Sequence, residues 1–203
     1  MFFINKVIRR ILRKLLNICR GGVFKMKYKK YVHLADSKNV PQFHKYSEIV
    51  IEGEKARLEF GRNFYARNFF SIRLANGIIR FGDTVFFNNQ CSVNCLEKIE
   101  IGDYTMFGEN VKLYDHNHNY TDDSIPFCTQ GWTAGEIIIG ENCWIGSNVV
   151  ILKNVHIGKN SIIGAGCVVF KDVPPDSILL SNGMLLSRKR SEMNKRILGE
   201  IEE

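Results

Sequence analysis

From residue 139 onward, the hydrophobic positions of the chain recur every six residues without a slip. They are Ile139, Ile145, Ile151, Ile157, Ile163 and Val169. Glycine follows at 140, 146, 158 and 164, where it suits a tight corner that needs a positive φ. This sustained short period predicts a solenoid, because each repeat is too small to bury its own apolar side and must stack on its neighbours.

The same pattern continues upstream with interruptions. Segments that read apolar-x-apolar-Gly are LEFG at 58–61, IRFG at 79–82, IEIG at 99–102 and IIIG at 137–140. Their first residues lie 21, 20 and 38 residues apart. Since three hexads make one coil, the first two intervals fit a coil with a small corner insertion. The third interval predicts a coil with an excursion at 119–138.

These patterns divide the chain into segments of different character. A short strand on each of three faces makes a triangular coil, whose aliphatic positions point inward and stack on the next coil. Pro174 and Pro175 are expected to end the repeat, because proline cannot donate a ladder hydrogen bond. The predicted segments are a basic amphipathic segment at 1–30, an N-terminal extension at 31–57, the β-helix at 58–175, and a C-terminal segment ending in a short helix at 176–203.

The N-terminal segment combines an apolar stripe with a high positive charge. Residues 1–30 contain ten Lys and Arg residues and no acidic residue, so the rest of a chain with net charge +7 sums to −3. The body is therefore not expected to bind nucleic acid. Ile4, Ile8, Leu12 and Leu15 lie on one side of a helix. This pattern fits either peripheral contact with an anionic membrane through residues 1–20 or a helix packed on its own domain or a sister subunit.

Composition limits the compartment and the chemistry. No apolar run is long enough to span a bilayer. The six cysteines lack the paired spacing of a zinc site, so we expect reduced thiols and no metal. We expect a cytoplasmic protein, peripheral at the inner face of the membrane if the N-terminal helix binds lipid.

The segment VKLYDHNHNYTDD at 111–123 carries the main candidate chemistry. His116 and His118 are two residues apart, so on a strand they would share a face. An imidazole with a pKa of about 6.5 suits a general base at neutral pH. Asp115 and Asp122 are candidate orienting groups, or solvated turn residues. A metal pair and a polar turn without chemistry are the other interpretations of the two histidines.

The repeat and the segment CWIGSNVVILKNVHIGKNSIIGAGCVVFKDVP resemble the hexapeptide-repeat acyltransferase family. The resemblance is to its sugar O-acetyltransferase branch, which includes galactoside and maltose acetyltransferases and enzymes that acetylate bacterial surface polysaccharides. It implies an all-β, left-handed parallel β-helix and acetyl-CoA as acyl donor. It also implies direct transfer to a sugar or lipid-linked oligosaccharide acceptor, in a homotrimer with each active site between two subunits.

The resemblance also implies roles for individual residues. Aligned from Val111 and Leu113, the catalytic base falls on His118, with His116 as the second candidate. The remaining expectations are Asn88, Gln90 and Trp144 at the acceptor, the Ser147 amide at the oxyanion, Ala165 and Gly166 along the pantetheine, and Lys171 and Arg188 at the coenzyme phosphates.

Two features leave other functions open. The segment SNGMLLSRKR places Met184 and Leu185 where the family carries Pro-Ala, so the adenine-end pocket is expected to differ from the family pattern. A His-x-His pair is also the natural cue for a metal-dependent hydratase on the same fold, with His156 as the third ligand. A non-catalytic hexapeptide scaffold is the remaining alternative. An acyl group other than acetyl and an amine acceptor are further alternatives.

Overall fold

The structure is a computed structural model that describes residues 15–16, 19–36 and 39–187. Arg188, the predicted C-terminal helix and residues 1–14 lie outside the described residues. Within the described ranges, short strands from successive coils form three parallel sheets, which are the three faces of a β-helix. The predicted fold class is thereby confirmed.

Each face is a ladder of strands contributed by successive coils. The first face contains Val32–Leu34, Arg57–Phe60, Ile78–Phe81, Lys98–Ile101, Glu136–Ile139 and Val155–Ile157. The second face contains Gln42–Phe43, Tyr65–Ala66, Phe86–Phe87, Met106–Phe107, Trp144–Ile145, Ile162–Ile163 and Ser177–Leu179, with Leu185–Ser187 antiparallel at its end. The third face contains Glu48–Glu52, Ser71–Ala75, Ser92–Cys95, Lys112–Tyr114, Val150–Leu152 and Val168–Val169.

The six-residue period sets the register of these ladders. The coils pair Ile139 with Ile157, Ile145 with Ile163, and Ile151 with Val169. All of these side chains are at most 2% exposed. The aliphatic residue at the first position of each hexad therefore forms one column of the core on each face.

The glycines of the hexads serve a different purpose from the one expected. In the regular coils from 139 to 160, the corner residues with positive φ are Asn142, Asn148, Asn154 and Asn160. Asparagine tolerates this conformation better than most residues with a Cβ. Gly140 is required because the next coil passes close by: a Cβ on it would lie 2.6 Å from the backbone nitrogen of Lys159.

The β-helix extends past both predicted bounds. Val32–Leu34 pairs in parallel with Leu58–Phe60, so the segment 31–57 forms a first coil. At the other end, Ser177–Leu179 adds one more parallel strand after the two prolines. Both prolines lie in a corner between faces, outside the strands, where their missing N–H leaves the ladder intact.

A helix closes the N-terminal end of the core. Residues 15–16 and 19–27 are α-helical. Phe24 is buried, and its ring meets those of Phe43 and Phe60 edge to face, at 5.0 and 6.0 Å between centroids. The described part of this helix thus packs on its own domain as a cap, which a solenoid needs at its ends. Within the described ranges, no helix combines the length and apolarity needed to cross a membrane.

The one large break in the coils is an antiparallel ribbon. His116–His118 pairs with Trp132–Ala134, and a 3₁₀ helix at Phe127–Thr129 lies between the two strands. The excursion therefore runs from 115 to 135, and both histidines lie on it. The backbone N–H of Gly135 donates to the carbonyl of Asp115 at 2.8 Å, which closes the ribbon where it leaves the coil.

Candidate active site

Asp115 anchors the ribbon to the body of the β-helix. Its carboxylate is fully buried and accepts hydrogen bonds from the backbone N–H groups of Leu96, Glu97 and Lys98, at 2.8–3.0 Å. These three residues form the corner of the preceding coil. The same carboxylate lies 2.9 Å from Nδ1 of His116. One buried side chain therefore joins a rigid corner to the first histidine of the pair.

His116 is held in one orientation by its neighbours. Its side chain is only 16% exposed. Because the Asp115 carboxylate can only accept a hydrogen bond, Nδ1 of the neutral ring carries the hydrogen and Nε2 carries the lone pair. The ring also meets Trp132 edge-on at 5.4 Å between centroids. This is the arrangement by which a carboxylate fixes the tautomer of an imidazole.

His118 is exposed and lies against the same tryptophan. Its ring centroid is 3.7 Å from that of Trp132, its cross-strand partner. The two histidines share one side of the ribbon, as their spacing predicts. The ribbon itself is braced: the backbone N–H of Asn119 donates to the carbonyl of Gly131 at 3.1 Å, and the Thr133 hydroxyl donates to the Asn119 amide oxygen.

Asp122 does not contact either histidine in the described structure. Its carboxylate accepts from the backbone N–H and the hydroxyl of Ser124, at 2.9 and 2.5 Å. These hydrogen bonds lower the pKa of Asp122. Of the two predicted orienting acids, Asp115 therefore contacts a histidine, and that histidine is His116. Asp122 is a turn residue.

A second group of predicted site residues lies at another corner. The corner between the second and third faces carries Asn88, Gln90, Ser147, Ala165 and Gly166. Asn88 accepts a hydrogen bond from Arg67 at 3.1 Å, and Ser147 accepts one from the backbone N–H of Glu109 at 3.1 Å. Gly166 has φ +75°, and a Cβ there would meet no atom within 4 Å. This corner is therefore open at its C-terminal end.

The C-terminal end of the third face forms a groove. Its volume is about 610 Å³, which lies within the range of roughly 300–1,000 Å³ that is usual for small-molecule sites. Gly166 and Lys171 both line it, together with Asn182 and Gly183 of the segment that departs from the family pattern. Two of the residues expected at the coenzyme thus share one cleft. Lys171 lies with its ammonium 5.6 Å from the centroid of the Phe170 ring.

Trp144 and His156 point outward from two different faces. Trp144 lies on the second face and is 52% exposed, between Met106 and Ile162 of the adjacent coils. His156 lies on the first face, with Nε2 2.9 Å from Glu136. In the described part of the chain, no three His, Cys, Asp or Glu side chains are grouped as a metal site would require.

Cys91 and Cys95 are buried, uncharged thiols. Burial raises the pKa of Cys91 to about 11. Burial and the charge of Asp115 also raise the pKa of Cys95. A thiol is nucleophilic only as a thiolate, so these side chains are inert at neutral pH.

One chain does not bring all the predicted residues together. The histidines lie at the corner between the third and first faces, while Asn88 and Ser147 lie at the corner between the second and third faces. Trp132 contacts both histidines. From its place in the excursion, the sequence predicted either that it reaches a neighbouring subunit or substrate or that it anchors the loop, and not this contact.

The chain is similar to known bacterial transferases. Residues 136–171 match the family described as bacterial transferase hexapeptide (six repeats). Over 131 residues the chain is 33% identical to a Mycobacterium tuberculosis (strain ATCC 25618 / H37Rv) protein named as an acetyltransferase, covering 64% of this chain and 44% of that protein. Over 132 residues it is 28% identical to the Escherichia coli (strain K12) protein named as the lipopolysaccharide biosynthesis O-acetyl transferase WbbJ, covering 60% and 66%. The chain thus spans less than two thirds of the length of these relatives.

A solved structure extends the comparison to three dimensions. The chain is similar to the maltose O-acetyltransferase from Clostridium difficile 630, with 28% identity and a TM-score of 0.50. The match covers 73% of this chain and 68% of that one. The resemblance to hexapeptide-repeat acetyltransferases that the sequence predicts is confirmed by these matches.

Proposed function

We propose that this hexapeptide-repeat β-helix is an acetyl-CoA-dependent O-acetyltransferase that acetylates a sugar hydroxyl, with His118 as general base. The observation that carries the proposal is an exposed histidine on a braced ribbon, at the one large break of a transferase-type repeat. The names of the similar proteins support acetyl transfer, and two of them name a sugar-containing acceptor, maltose and lipopolysaccharide. The proposed acceptor is accordingly a bacterial surface polysaccharide or its lipid-linked precursor.

In the proposed reaction, neutral His118 accepts the proton of the acceptor hydroxyl as its oxygen attacks the thioester carbonyl. General-base help of this kind contributes roughly 10²–10⁴-fold. A backbone N–H, assigned to Ser147 by resemblance, stabilises the tetrahedral oxyanion. The C–S bond then breaks, and the imidazolium returns its proton to the leaving thiolate. No acyl-enzyme is formed, which agrees with the inert cysteines.

His118 is preferred to His116 because of exposure. A general base must reach the hydroxyl of a bound acceptor, and the His118 side chain lies at the surface while His116 is largely covered. In this proposal His116 supports the edge of Trp132, and Trp132 supports the ring of His118. His116 and Asp115 are then positioning residues. Because the Nε2 of His116 also carries a lone pair, His116 is the alternative base that an experiment must separate.

The donor is proposed to bind between subunits of a homotrimer. The histidines and the Ser147 corner lie on different corners of one chain, so a neighbouring chain is needed to complete a site. Lys171 would meet a coenzyme phosphate as a point charge. Ala165 and the open surface at Gly166 would leave space for the pantetheine arm.

The test is release of free thiol from acetyl-CoA with a panel of sugars and lipid-linked oligosaccharides. His118→Ala should lower kcat by about 10² or more with the fold intact, while His156→Ala, on another face, should leave it unchanged. An unchanged rate in His118→Ala with a large loss in His116→Ala would move the base to His116. Stoichiometric zinc, chelator-sensitive hydratase activity and no acetyl-CoA binding would instead establish the metal-dependent alternative. Absence of any turnover with every acceptor would favour a scaffold.

A further inference from the structure

The inner side of the capping helix packs against the first coil of the β-helix. Phe24 is buried against the aromatic core. The hydroxyl of Tyr28 donates to the carbonyl of Ile49. Gly21 lies so close to the first coil that a Cβ would be 2.2 Å from the carbonyl oxygen of Pro41. This side fixes the helix across the end of the β-helix and determines which side faces outward.

The outer side of the same helix is apolar. Leu15 and Leu16 are 53% and 54% exposed, Val23 is 60% exposed and Met26 is 73% exposed. Residues spaced by seven, eight and eleven positions, as these are, share one side of a helix. The stripe continues, at the same period, the one that the sequence predicts for Ile4, Ile8 and Leu12. A contiguous apolar stripe left in water marks an interaction surface.

Lysines surround this stripe. Lys27, Lys29, Lys30 and Lys45 are all exposed. Residues 1–30 carry no acidic side chain. Glu48 and Glu52 of the first coil line a neighbouring groove together with Lys27. An apolar stripe bordered by cations is complementary to an anionic bilayer, whose acyl chains lie beneath a layer of anionic headgroups.

An exposed aromatic pair extends the surface onto the coils. Tyr46 and Phe69 stack with centroids 5.0 Å apart and planes at 14°, and they are 71% and 53% exposed. Both have positive φ, 60° and 59°. Deeper coils place Asn110 and Asn148 at this corner. A bulky aromatic is disfavoured there, so the pair is not explained by folding and suggests a function.

The helix and the aromatic pair belong to one surface. A groove of about 450 Å³ between them is lined by Val23 and Lys27 of the helix and by Lys45 and Tyr46 of the first coil. Tyrosine and phenylalanine rings are suited to the headgroup level of a membrane. This groove thus combines exposed apolar side chains with neighbouring cations.

We infer that the N-terminal end of this β-helix is a docking surface for an anionic lipid bilayer. Val23, Met26 and the Tyr46–Phe69 pair enter the headgroup region, and the lysines contact lipid phosphates. A second copy of this chain fits the surface less well, because a symmetric contact would bring its lysines together. The inference does not depend on the proposed acetyl transfer.

The test measures binding of the full-length chain to vesicles by flotation. Wild-type protein should bind vesicles that contain phosphatidylglycerol, and should bind phosphatidylcholine vesicles weakly or not at all. Binding should fall as salt is raised. Replacing Lys27, Lys29 and Lys30 by Gln should weaken it by about fivefold per lysine. The double change Val23→Ser with Met26→Ser should weaken it by roughly tenfold or more.

A matched variant separates the surface from a general loss of stability. Tyr46→Asn with Phe69→Asn should weaken vesicle binding while leaving the melting temperature unchanged or higher, because asparagine suits positive φ. Tyr104→Asn is the control: Tyr104 is 62% exposed at φ 57° on another corner, so vesicle binding should not change. No binding by wild type would overturn the inference. An equal loss of vesicle binding in Tyr104→Asn would also overturn it. A concentration-dependent dimer that Val23→Ser with Met26→Ser abolishes would overturn it in favour of a second copy of the chain.

Discussion

Asp115→Asn is the substitution that best separates the roles of the two histidines. The Oδ2 atom of Asp115 accepts from the backbone N–H groups of Leu96, Glu97 and Lys98. The Oδ1 atom lies beside Nδ1 of His116 and also accepts from the Leu96 N–H. An asparagine with its oxygen at the Oδ2 position would keep the three bonds to Oδ2 and lose the one to Oδ1. Its NH₂ group would then face Nδ1 and require that nitrogen to accept. The substitution therefore reverses the tautomer of His116 with little change in shape.

The structure predicts different losses of folding stability for two substitutions of Asp115. Asp115→Asn loses charge assistance and the hydrogen bond from the Leu96 N–H to Oδ1, about 1–3 kcal/mol in all. Asp115→Ala leaves three backbone N–H groups without their acceptor, about 3–5 kcal/mol, which corresponds to a melting temperature lower by roughly 6–20 °C. Thermal melts of both variants beside the wild type check this. An Asp115→Ala variant that melts like the wild type would refute the anchoring role of the carboxylate.

Activity of Asp115→Asn then distinguishes the base. If His118 accepts the proton and His116 only supports Trp132, kcat should fall by less than about tenfold. If His116 is the base, the reversed tautomer places a hydrogen on Nε2, and a loss of roughly four orders of magnitude is expected. The assay is thiol release from acetyl-CoA, below the melting temperature of both variants. A loss of 10³-fold or more with near-native stability would refute the assignment to His118.

Three further predictions concern the packing of the coils and the exposure of the cysteines. Gly140→Ala should destabilise the protein by about 1–3 kcal/mol, since its Cβ would collide with the backbone of Lys159, as measured by denaturant unfolding. Thr105→Val should cost about 1–3 kcal/mol by the same measurement, because the buried Thr105 hydroxyl donates to the Gly140 carbonyl at 2.9 Å and accepts from a backbone N–H of the next coil. A thiol reagent should react quickly with the exposed Cys19 and Cys128 in the native protein, and with the buried thiols only after unfolding.

The repeat was readable from the sequence where the coils are regular. Between 139 and 169 every coil uses the same hexad, so the inward column, the register and the strand order all follow from the period. The sequence did not predict the first coil, because this coil lacks the hexad pattern. Its buried Phe43 is a large ring that fills the end of the solenoid together with Phe24. Aromatic packing at a cap does not obey the period of the coils, and sequence spacing therefore does not reveal it.

Only the part of the candidate site that depends on local strand geometry could be predicted from the sequence. The spacing of His116 and His118 predicts that they share a side, because that follows from strand geometry. The contact of Asp115 with the corner at 96–98 depends on how one coil lies over the next, and a local sequence pattern does not encode it.

The ribbon and the coils have complementary physical properties. The coils are rigid because each strand is bonded to two neighbours, but they offer only shallow corners. The ribbon projects a side chain beyond the corner, and by itself a two-stranded ribbon is marginally stable. Asp115 resolves this conflict, since it ties the base of the ribbon to three backbone N–H groups of a rigid coil. An exposed His118 can thus be held in place without being buried, which is what a base that must reach a large acceptor requires.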